Sequence, residues 1–166
     1  AEAIALQCFG QLTPSAVPRV VWRHPEAPVL VIEAAPQTWQ DWREQMLNAE
    51  SGSPELAGAR LSAMATHLGN TLATWHVRTR EVDALPEVLR SGDRLRTLRT
   101  DPFHRATARE VPMIGSRLQE LATELESART CLVHGDFSPK NVLVSPPEAV
   151  ELEAWMLDAE VAHVGD

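Results

Sequence analysis

Basic residues, cysteines and long apolar runs are all scarce in this sequence. Its 166 residues include 15 Lys and Arg against 23 Asp and Glu, which gives a net charge of −8. A chain with this charge repels polyphosphate backbones and anionic lipid headgroups, and no local basic stripe offsets the repulsion. We therefore expect neither a nucleic acid nor a membrane among its partners.

The two cysteines, Cys8 and Cys131, lie far apart and lack metal-ligand spacing, so reduced thiols are expected instead of a disulfide or zinc framework. No apolar run reaches the roughly 20 residues that cross a bilayer, and no signal-peptide layout is present. A cytoplasmic location is the resulting expectation. The chain starts at Ala1 and stops at Asp166 directly after a strand-like run, which predicts that both ends are cut from a longer protein.

The composition, 44% apolar and 23% charged, suits a globular domain with a sizeable core. Two segments rich in β-branched residues, Val17–Arg23 and Val29–Glu33, flank a turn and predict a β-hairpin. A short helix after the hairpin is predicted by four apolar residues at helical spacing: Trp39, Trp42, Met46 and Leu47. The segment Asn48–Pro54 ends this helix.

Two longer helices are predicted by apolar stripes at intervals of three and four residues. The first stripe consists of Leu61, Met64, Leu68, Leu72 and Trp75, and the second of Ile114, Leu118, Leu121 and Leu125. Pro112 opens the second helix, where its missing N–H does no harm. Between the two, Leu85–Leu98 reads as interrupted helix and Thr100–Phe103 as a turn. His76 at the edge of the first stripe is interpreted as a residue of the core rim, not a ligand.

From Cys131 onward the pattern changes to short strands separated by polar turns. The predicted strands are Cys131–Val133, Val142–Val144 and Leu152–Leu157. A hairpin, a helical block and a small β cluster in this order predict an α+β fold.

The segment Leu132–Val144, LVHGDFSPKNVLV, holds the candidate catalytic residues between two of these strands. His134, Asp136 and Asn141 have the H-x-D-x-x-x-x-N spacing of a kinase catalytic loop. Asp158 ends the next apolar strand, where a kinase keeps its metal-binding acid.

Phosphoryl transfer needs a carboxylate that accepts or orients the proton of the substrate hydroxyl, and oxygen ligands that hold Mg²⁺ against the nucleotide phosphates. Asp136 is the candidate for the first role, and Asn141 and Asp158 are the candidate metal ligands. Two further loop residues complete the catalytic set. His134 is interpreted as fixing the loop, and Lys140 either contacts the transferring phosphate or is an exposed lysine without a role.

Two other interpretations of these residues stay open. A hairpin can display polar residues at its tips by chance. His134, Asp136 and His163 can also be read as ligands of a metallohydrolase, although the dense clustering of His and Asp typical of such sites is missing.

HGDFSPKNVLV followed by LDAEVAHVGD resembles the aminoglycoside phosphotransferase family, the small-molecule branch of the protein-kinase-like fold. Asp158 and Glu160 match the D-x-E that replaces D-F-G in this family. Leu98–Arg105, LRTDPFHR, is similar to the stretch that precedes the catalytic loop in uncharacterised members. VPRVVW and VLVIEAAP are similar to the last N-lobe strands and the hinge.

The resemblance implies a small-molecule kinase that uses ATP, with GTP as the alternative nucleotide, and Mg²⁺, and that phosphorylates a hydroxyl of a small substrate. It implies a protein-kinase-like fold in which residues 1–33 are the remnant of an N-lobe and residues 34–166 are the hinge and a partial helical C-lobe. Glu33 and Ala35 would then belong to the hinge that meets adenine. Glu2 would be the helix acid that pairs with a nucleotide-anchoring lysine.

Two family features are missing from the chain. Lys140 is its only lysine, so the strand lysine that clamps the phosphates is absent, and the eight glycines form no G-x-G-x-x-G loop. A fragment that is inactive alone explains both absences, and so does a kinase-like binding module without turnover. The sequence leaves open whether the acceptor is an aminoglycoside, a choline-like amine, a sugar or an amino alcohol.

Overall fold

The computed structural model describes residues 1–48 and 54–166 of the chain. The helices in these residues are α1 Glu2–Leu12, α2 Trp42–Asn48, α3 Pro54–Arg78, α4 Glu87–Arg90, α5 Asp93–Leu95, α6 Ala106–Glu110 and α7 Pro112–Ser127. The strands are β1 Val20–Arg23, β2 Leu30–Ile32, β3 Gln40–Asp41, β4 Cys131–Val133, β5 Val142–Val144, β6 Ala154–Met156 and β7 His163–Gly165. Shorter elements are the 3₁₀ turns Val82–Ala84, Pro139–Asn141 and Ala159–Val161 and the π-helical segment Arg96–Arg105. Helices combined with small antiparallel sheets confirm the predicted α+β class.

The chain forms two compact units. The first unit consists of residues 1–5, 75–135 and 159–166, and the second of residues 6–74 and 136–158. Asp136, Asn141 and Asp158 all belong to the second unit. The predicted boundary between residues 33 and 34 stays a prediction. No helix in the described part of the chain is both long enough and apolar enough to cross a membrane.

In the second unit, β1 and β2 pair antiparallel, with Val20 opposite Ile32 and Arg23 opposite Leu30, which confirms the predicted hairpin. A second sheet has the strand order β3-β5-β6, with β5 in the centre. The side chains of β5 and β6 that point to the core are almost completely buried: Val142, Val144, Ala154 and Met156. The alternation of these apolar residues is the reason why the segment forms strands.

The helix predicted from Trp39 onward begins later, at Trp42. An oxygen of the Asp41 carboxylate accepts a hydrogen bond of 2.7 Å from the backbone N–H of Glu44, which caps the first turn of α2. Trp39 precedes this cap and instead packs edge-on against Trp155, with ring centroids 5.4 Å apart. The break predicted at Asn48–Pro54 falls largely on residues 49–53, outside the described residues.

The long helix predicted from the first apolar stripe is confirmed as α3, in which Met64, Leu68 and Trp75 are buried. In the first unit, β4 pairs antiparallel with β7, with Val133 opposite His163. β7 lies in the strand-like run that precedes Asp166, although its bounds and its partner strand were not predicted. The hydroxyl of Thr79, just after α3, accepts the buried Leu132 N–H at 2.9 Å and so satisfies the other edge of β4.

The second predicted stripe does form a helix, α7, and Pro112 lies in its first turn. The buried residues of α7, however, are Gly115 and Ala122, whereas Ile114 and Leu125 are 46% and 38% exposed. A Cβ atom on Gly115 would lie 2.8 Å from the carbonyl oxygen of Ala108. The close approach to α6 therefore selects small residues for the packed face of α7.

The turn predicted at Thr100–Phe103 is wrong, because these residues lie within the π-helical segment despite Pro102. The segment is tied to α7 by Glu126. The guanidinium of Arg105 donates to both carboxylate oxygens of Glu126, at 2.5 and 2.9 Å, and the Thr100 hydroxyl donates to the same carboxylate. A charge-assisted tertiary contact has overridden a local turn preference.

Glu126→Gln is expected to reduce the loss of the free energy of unfolding that acidification causes. Hydrogen bonds, chiefly from Arg105, lower the pKa of Glu126 from 4.5 to about 2. Because the folded state holds this proton less tightly than the unfolded state, the stabilisation is complete above the unfolded pKa and is lost as the pH falls through about 2.

Urea-unfolding midpoints at about pH 6 and about pH 3 measure this effect. Between these two pH values the wild type should lose more free energy of unfolding than Glu126→Gln does. Arg105→Met should behave like Glu126→Gln. The same loss in all three proteins would contradict the assignment.

Candidate active site

The loop that joins β4 to β5 begins with a tight bend at Gly135. This glycine has φ +81°, and a Cβ atom there would lie 2.6 Å from the carbonyl oxygen of Val161. Both the left-handed backbone and the close approach exclude a side chain. The sequence assigned Gly135 no role of its own, although a glycine between two candidate catalytic residues was the available signal.

Gly135→Ala is expected to destabilise the protein by at least about 1–2 kcal/mol, since an L residue is strained at this φ before the clash is counted. Gly69→Ala is the matched control. Gly69 lies within α3, and nothing lies within 4 Å of the position that its Cβ would take. This second change should stabilise the helix by about 0.5–1 kcal/mol. Urea unfolding measures both, and equal effects of the two changes would contradict the bend.

Asp136 and Asn141 are bonded to each other. The Asn141 side-chain amide donates to the Asp136 carbonyl oxygen at 3.0 Å and to a carboxylate oxygen of Asp136 at 3.1 Å. The backbone N–H of Ser138 also donates to the Asp136 carbonyl oxygen, at 2.9 Å. Since these bonds use the nitrogen of the Asn141 amide, its oxygen is the atom that can bind a cation.

Lys140 lies next to the same carboxylate. Its Nζ is 3.7 Å from Asp136 Oδ2, and its side chain is 55% exposed. An exposed pair at this distance is weak, so the ammonium can leave Asp136 for an incoming anion at little cost. The structure therefore brings together three of the predicted residues: Asp136, Lys140 and Asn141.

Asp158 follows β6 and adjoins Asn141 through the sheet. The backbone N–H of Leu157 donates to the Asn141 carbonyl oxygen at 2.8 Å, which continues the β5–β6 ladder by one pair. Asp158 itself has φ +61°, in the left-handed region. Such a conformation in a non-glycine residue costs of order 1–3 kcal/mol and is concentrated at functional sites. The carboxylate is thus held at the end of the strand that neighbours Asn141.

The donor set fits Mg²⁺ better than a metal that requires an all-protein cage. Among the described residues, no group of three His, Cys, Asp or Glu side chains is placed to hold a metal ion. A zinc site needs three or four such ligands, so the metallohydrolase interpretation gains no support. Mg²⁺ is commonly bound through one or two protein oxygens together with phosphate oxygens and waters. The Asn141 amide oxygen and the Asp158 carboxylate supply this number.

His134 and His163 are buried in the first unit, with 2% and 5% of their surface exposed. The ring Nδ1 of His163 lies 2.7 Å from the carbonyl oxygen of Val161. Burial lowers the pKa of His163, and the positive charge of Arg129 lowers it further. His134 follows β4 directly, as its interpretation as a structural loop residue expects, but this role stays a prediction.

The remaining predicted residues lie apart from this loop in the sequence. Glu33 is exposed at the end of the hairpin, where its N–H donates to the Arg19 carbonyl oxygen at 2.9 Å, and Ala35 follows it. Glu2 is the first residue of α1. Glu160 is exposed in the 3₁₀ turn after Asp158. The nucleotide contacts predicted for Glu33 and Ala35, and the pairing of Glu2 with a lysine, stay predictions.

The chain matches a known protein family along most of its length. The family model described as phosphotransferase enzyme family, APH, matches residues 1–154. The match covers most of the chain and contains Asp136, Lys140 and Asn141. No curated protein matches the chain.

Proposed function

The chain belongs to the phosphotransferase enzyme family, and we propose that it carries the catalytic loop of an ATP-dependent kinase for a small hydroxyl-bearing molecule. The observation that carries the proposal is the pairing of Asp136 with Asn141, with Asp158 just after the neighbouring strand β6. This set of a carboxylate, an amide and a second carboxylate is what phosphoryl transfer to an alcohol requires.

Asp136 accepts or orients the proton of the acceptor hydroxyl. Its carboxylate accepts a hydrogen bond from the Asn141 amide at 3.1 Å, which limits the rotation of the carboxylate. Lys140, 3.7 Å from Asp136, contributes positive charge where the phosphoryl group is transferred.

Bound Mg²⁺ would neutralise charge on the nucleotide phosphates. Asn141 would hold the ion through its amide oxygen, and Asp158 through its carboxylate. ATP is the proposed nucleotide and GTP the alternative. Glu33 and Ala35 would provide backbone groups for the adenine.

The proposal includes a protein-kinase-like fold, with residues 1–33 from an N-lobe and residues 34–166 from a hinge and a C-lobe, and a cytoplasmic location. The fold is supported by the order of the elements: a hairpin, a helical block and the strands that flank the catalytic loop. Neither a nucleic acid nor a membrane is a proposed partner, given the net charge of −8.

A non-catalytic, kinase-like binding module is the second candidate. It is favoured by one observation: Lys140, in the catalytic loop, is the only lysine of the 166 residues. Without a second lysine the chain has no phosphate-clamping strand lysine of its own. A full-length protein that also lacks such a lysine and a glycine-rich loop would favour this candidate.

We propose further that a longer, full-length protein supplies the phosphate-clamping lysine and the glycine-rich loop that the 166 residues lack. Turnover by that full-length protein tests the proposal. Purified protein is incubated with [γ-³²P]ATP, Mg²⁺ and a panel of aminoglycosides, amino alcohols, choline-like amines and sugars. We expect label transfer to at least one acceptor, abolished by EDTA, and no transfer by the 166-residue chain alone. Nucleotide binding without transfer to any acceptor, unchanged by EDTA, would favour the binding module instead.

A further inference from the structure

The loop between β5 and β6 is too long to fix how the two strands align. It comprises the nine residues 145–153 and contains Pro146 and Pro147. Two-residue hairpin turns determine the register of their strands through turn geometry, but a loop of this length does not. Another part of the structure must select the observed pairing of Val142 with Met156 and Val144 with Ala154.

The buried apolar side chains exclude only some of the alternative registers. A slip by one residue would turn Val142 and Val144 away from the core, which their burial forbids. A slip by two residues returns the same side chains to the same face. The hydrophobic pattern of these three-residue strands therefore leaves registers that differ by two residues unresolved.

Polar contacts of Ser145 distinguish these registers, in addition to the bond of 2.8 Å that the Met156 N–H donates to the Ala16 carbonyl oxygen on the other side of β6. It is 1% exposed, and its N–H donates to the Glu153 carbonyl oxygen at 2.9 Å. Its hydroxyl accepts the Glu153 N–H at 3.1 Å and donates to the Glu151 carbonyl oxygen at 3.1 Å. Both backbone groups of Glu153, the residue before β6, are therefore bonded to Ser145, the residue after β5.

Arg60 of α3 and Gln45 of α2 bond backbone carbonyl oxygens directly after β5. One terminal nitrogen of the Arg60 guanidinium lies 3.0 Å from the Ser145 carbonyl oxygen and 2.7 Å from that of Pro146. The Gln45 side-chain amide donates to the Ser145 carbonyl oxygen at 2.9 Å. α2 and α3 therefore anchor the end of β5 in the second unit.

The register matters because the candidate metal ligands lie at the opposite end of this ladder. Asn141 immediately precedes β5, and Asp158 follows Leu157, which is bonded to Asn141. A slip by two residues would displace the strands by about 6.6–6.8 Å. Ligands of one Mg²⁺ lie at about 2.0–2.1 Å from the ion, so displaced residues could not share it.

We propose that Arg60 and Ser145 are positioning residues of the phosphotransfer site, which fix the β5–β6 register and so keep Asn141 and Asp158 on one metal ion. The part concerning the metal rests on the function proposed above. The part concerning the register does not, because it follows from contacts of the chain itself.

The register is tested on the 166-residue chain by NMR. Val142–Met156 and Val144–Ala154 are the non-hydrogen-bonded pairs of the ladder, whose Cα atoms lie about 4.5 Å apart and give strong Hα–Hα cross-peaks. In Arg60→Met/Ser145→Ala we expect these cross-peaks to weaken, and cross-peaks from a two-residue shift to appear. Ser145→Ala alone is measured if the double variant does not fold. Val164→Ala in β7 is the control, since it opens a buried cavity in the other unit and should leave the cross-peaks intact.

The consequence for the metal is tested on the full-length protein. Mn²⁺ binding in the presence of a non-hydrolysable ATP analogue is followed by electron paramagnetic resonance at a temperature where each variant is folded. The dissociation constant of Mn²⁺ should rise about 10- to 100-fold in the double variant. It should not change in Val164→Ala, which separates positioning from loss of stability.

Unchanged cross-peaks in the double variant would overturn the proposal, whatever happens to metal binding. Shifted cross-peaks with unchanged Mn²⁺ affinity would overturn the positioning role. If the wild type itself binds no Mn²⁺ with the nucleotide while the cross-peaks shift, the proposed function fails and the role of Arg60 and Ser145 in the register stands.

Discussion

Asp136→Asn in the full-length protein is expected to lower kcat by roughly two to four orders of magnitude, the contribution of a positioned acid–base group. The amide has the shape of the carboxylate, and its oxygen can still accept the hydrogen bond from Asn141 that the carboxylate accepts at 3.1 Å. It cannot accept the proton of the acceptor hydroxyl. Nucleotide affinity should therefore change little while turnover is lost.

Steady-state kinetics and nucleotide titration together measure this effect. Asp93→Asn is the control, because it makes the same chemical change in an exposed residue whose carboxylate bonds its near neighbours in the sequence, Ser91 and Arg96. We expect it to retain wild-type kcat. A kcat for Asp136→Asn equal to that of the control would remove Asp136 from the catalytic role.

Asp158→Gly should affect stability and activity in opposite directions. The left-handed backbone of Asp158, φ +61°, costs a residue with a side chain free energy, although Asp and Asn tolerate it better than most, and it is unstrained for glycine. The free energy of unfolding should therefore be maintained or rise by up to about 1–2 kcal/mol. Turnover should fall at least about 100-fold, since a metal ligand is lost and even the outer partners of such ligands contribute 10- to 100-fold.

Asp158→Asn separates the effect of the carboxylate charge from the effect of the left-handed backbone. Asn also tolerates the left-handed region, so this variant should fold like the wild type. We expect a lower kcat and a higher Mg²⁺ concentration for half-maximal rate, since a neutral amide binds the ion less tightly than a carboxylate. Urea unfolding and the Mg²⁺ dependence of the rate are the measurements. Full activity of either variant at low Mg²⁺ would exclude Asp158 as a ligand.

The parts of the fold that follow from local sequence were predictable. β4 and β5 have the predicted bounds because each is a short apolar run enclosed by polar residues. The candidate catalytic loop was recognisable for a related reason: Asp136 and Asn141 lie within one turn-forming segment, so their spacing already implies that they meet. The family match over residues 1–154 confirms the resemblance drawn from this segment.

The parts that depend on distant partners were not predictable. β3 consists of Gln40 and Asp41, which have no strand propensity and pair only because β5 offers an edge. β7 lies in the strand-like run before Asp166, but its bounds and its partner are set by the pairing with β4, which no local pattern reveals. The π-helical segment contradicts the turn preference of its Asp-Pro pair because Glu126, far along the chain, bonds Arg105 and Thr100.

The residues that support the site were not predictable either, because their contacts also involve distant partners. Arg60 and Ser145 belong to no motif, and the sequence gives no signal that an arginine of α3 bonds the carbonyl oxygens that follow β5. Gly135 was visible within its motif, but the need for glycine arises from the carbonyl oxygen of Val161. Sequence reasoning finds residues that carry chemistry more readily than residues that hold them in place.

A crystal structure of the full-length protein with Mn²⁺ and a non-hydrolysable ATP analogue tests the shared metal site most directly. We predict an anomalous peak within about 2.0–2.3 Å of both the Asn141 amide oxygen and an Asp158 carboxylate oxygen, with the nucleotide phosphates completing the coordination. The Asp136 carboxylate should face the terminal phosphate without binding the metal. A peak bound by neither Asn141 nor Asp158 would contradict the account.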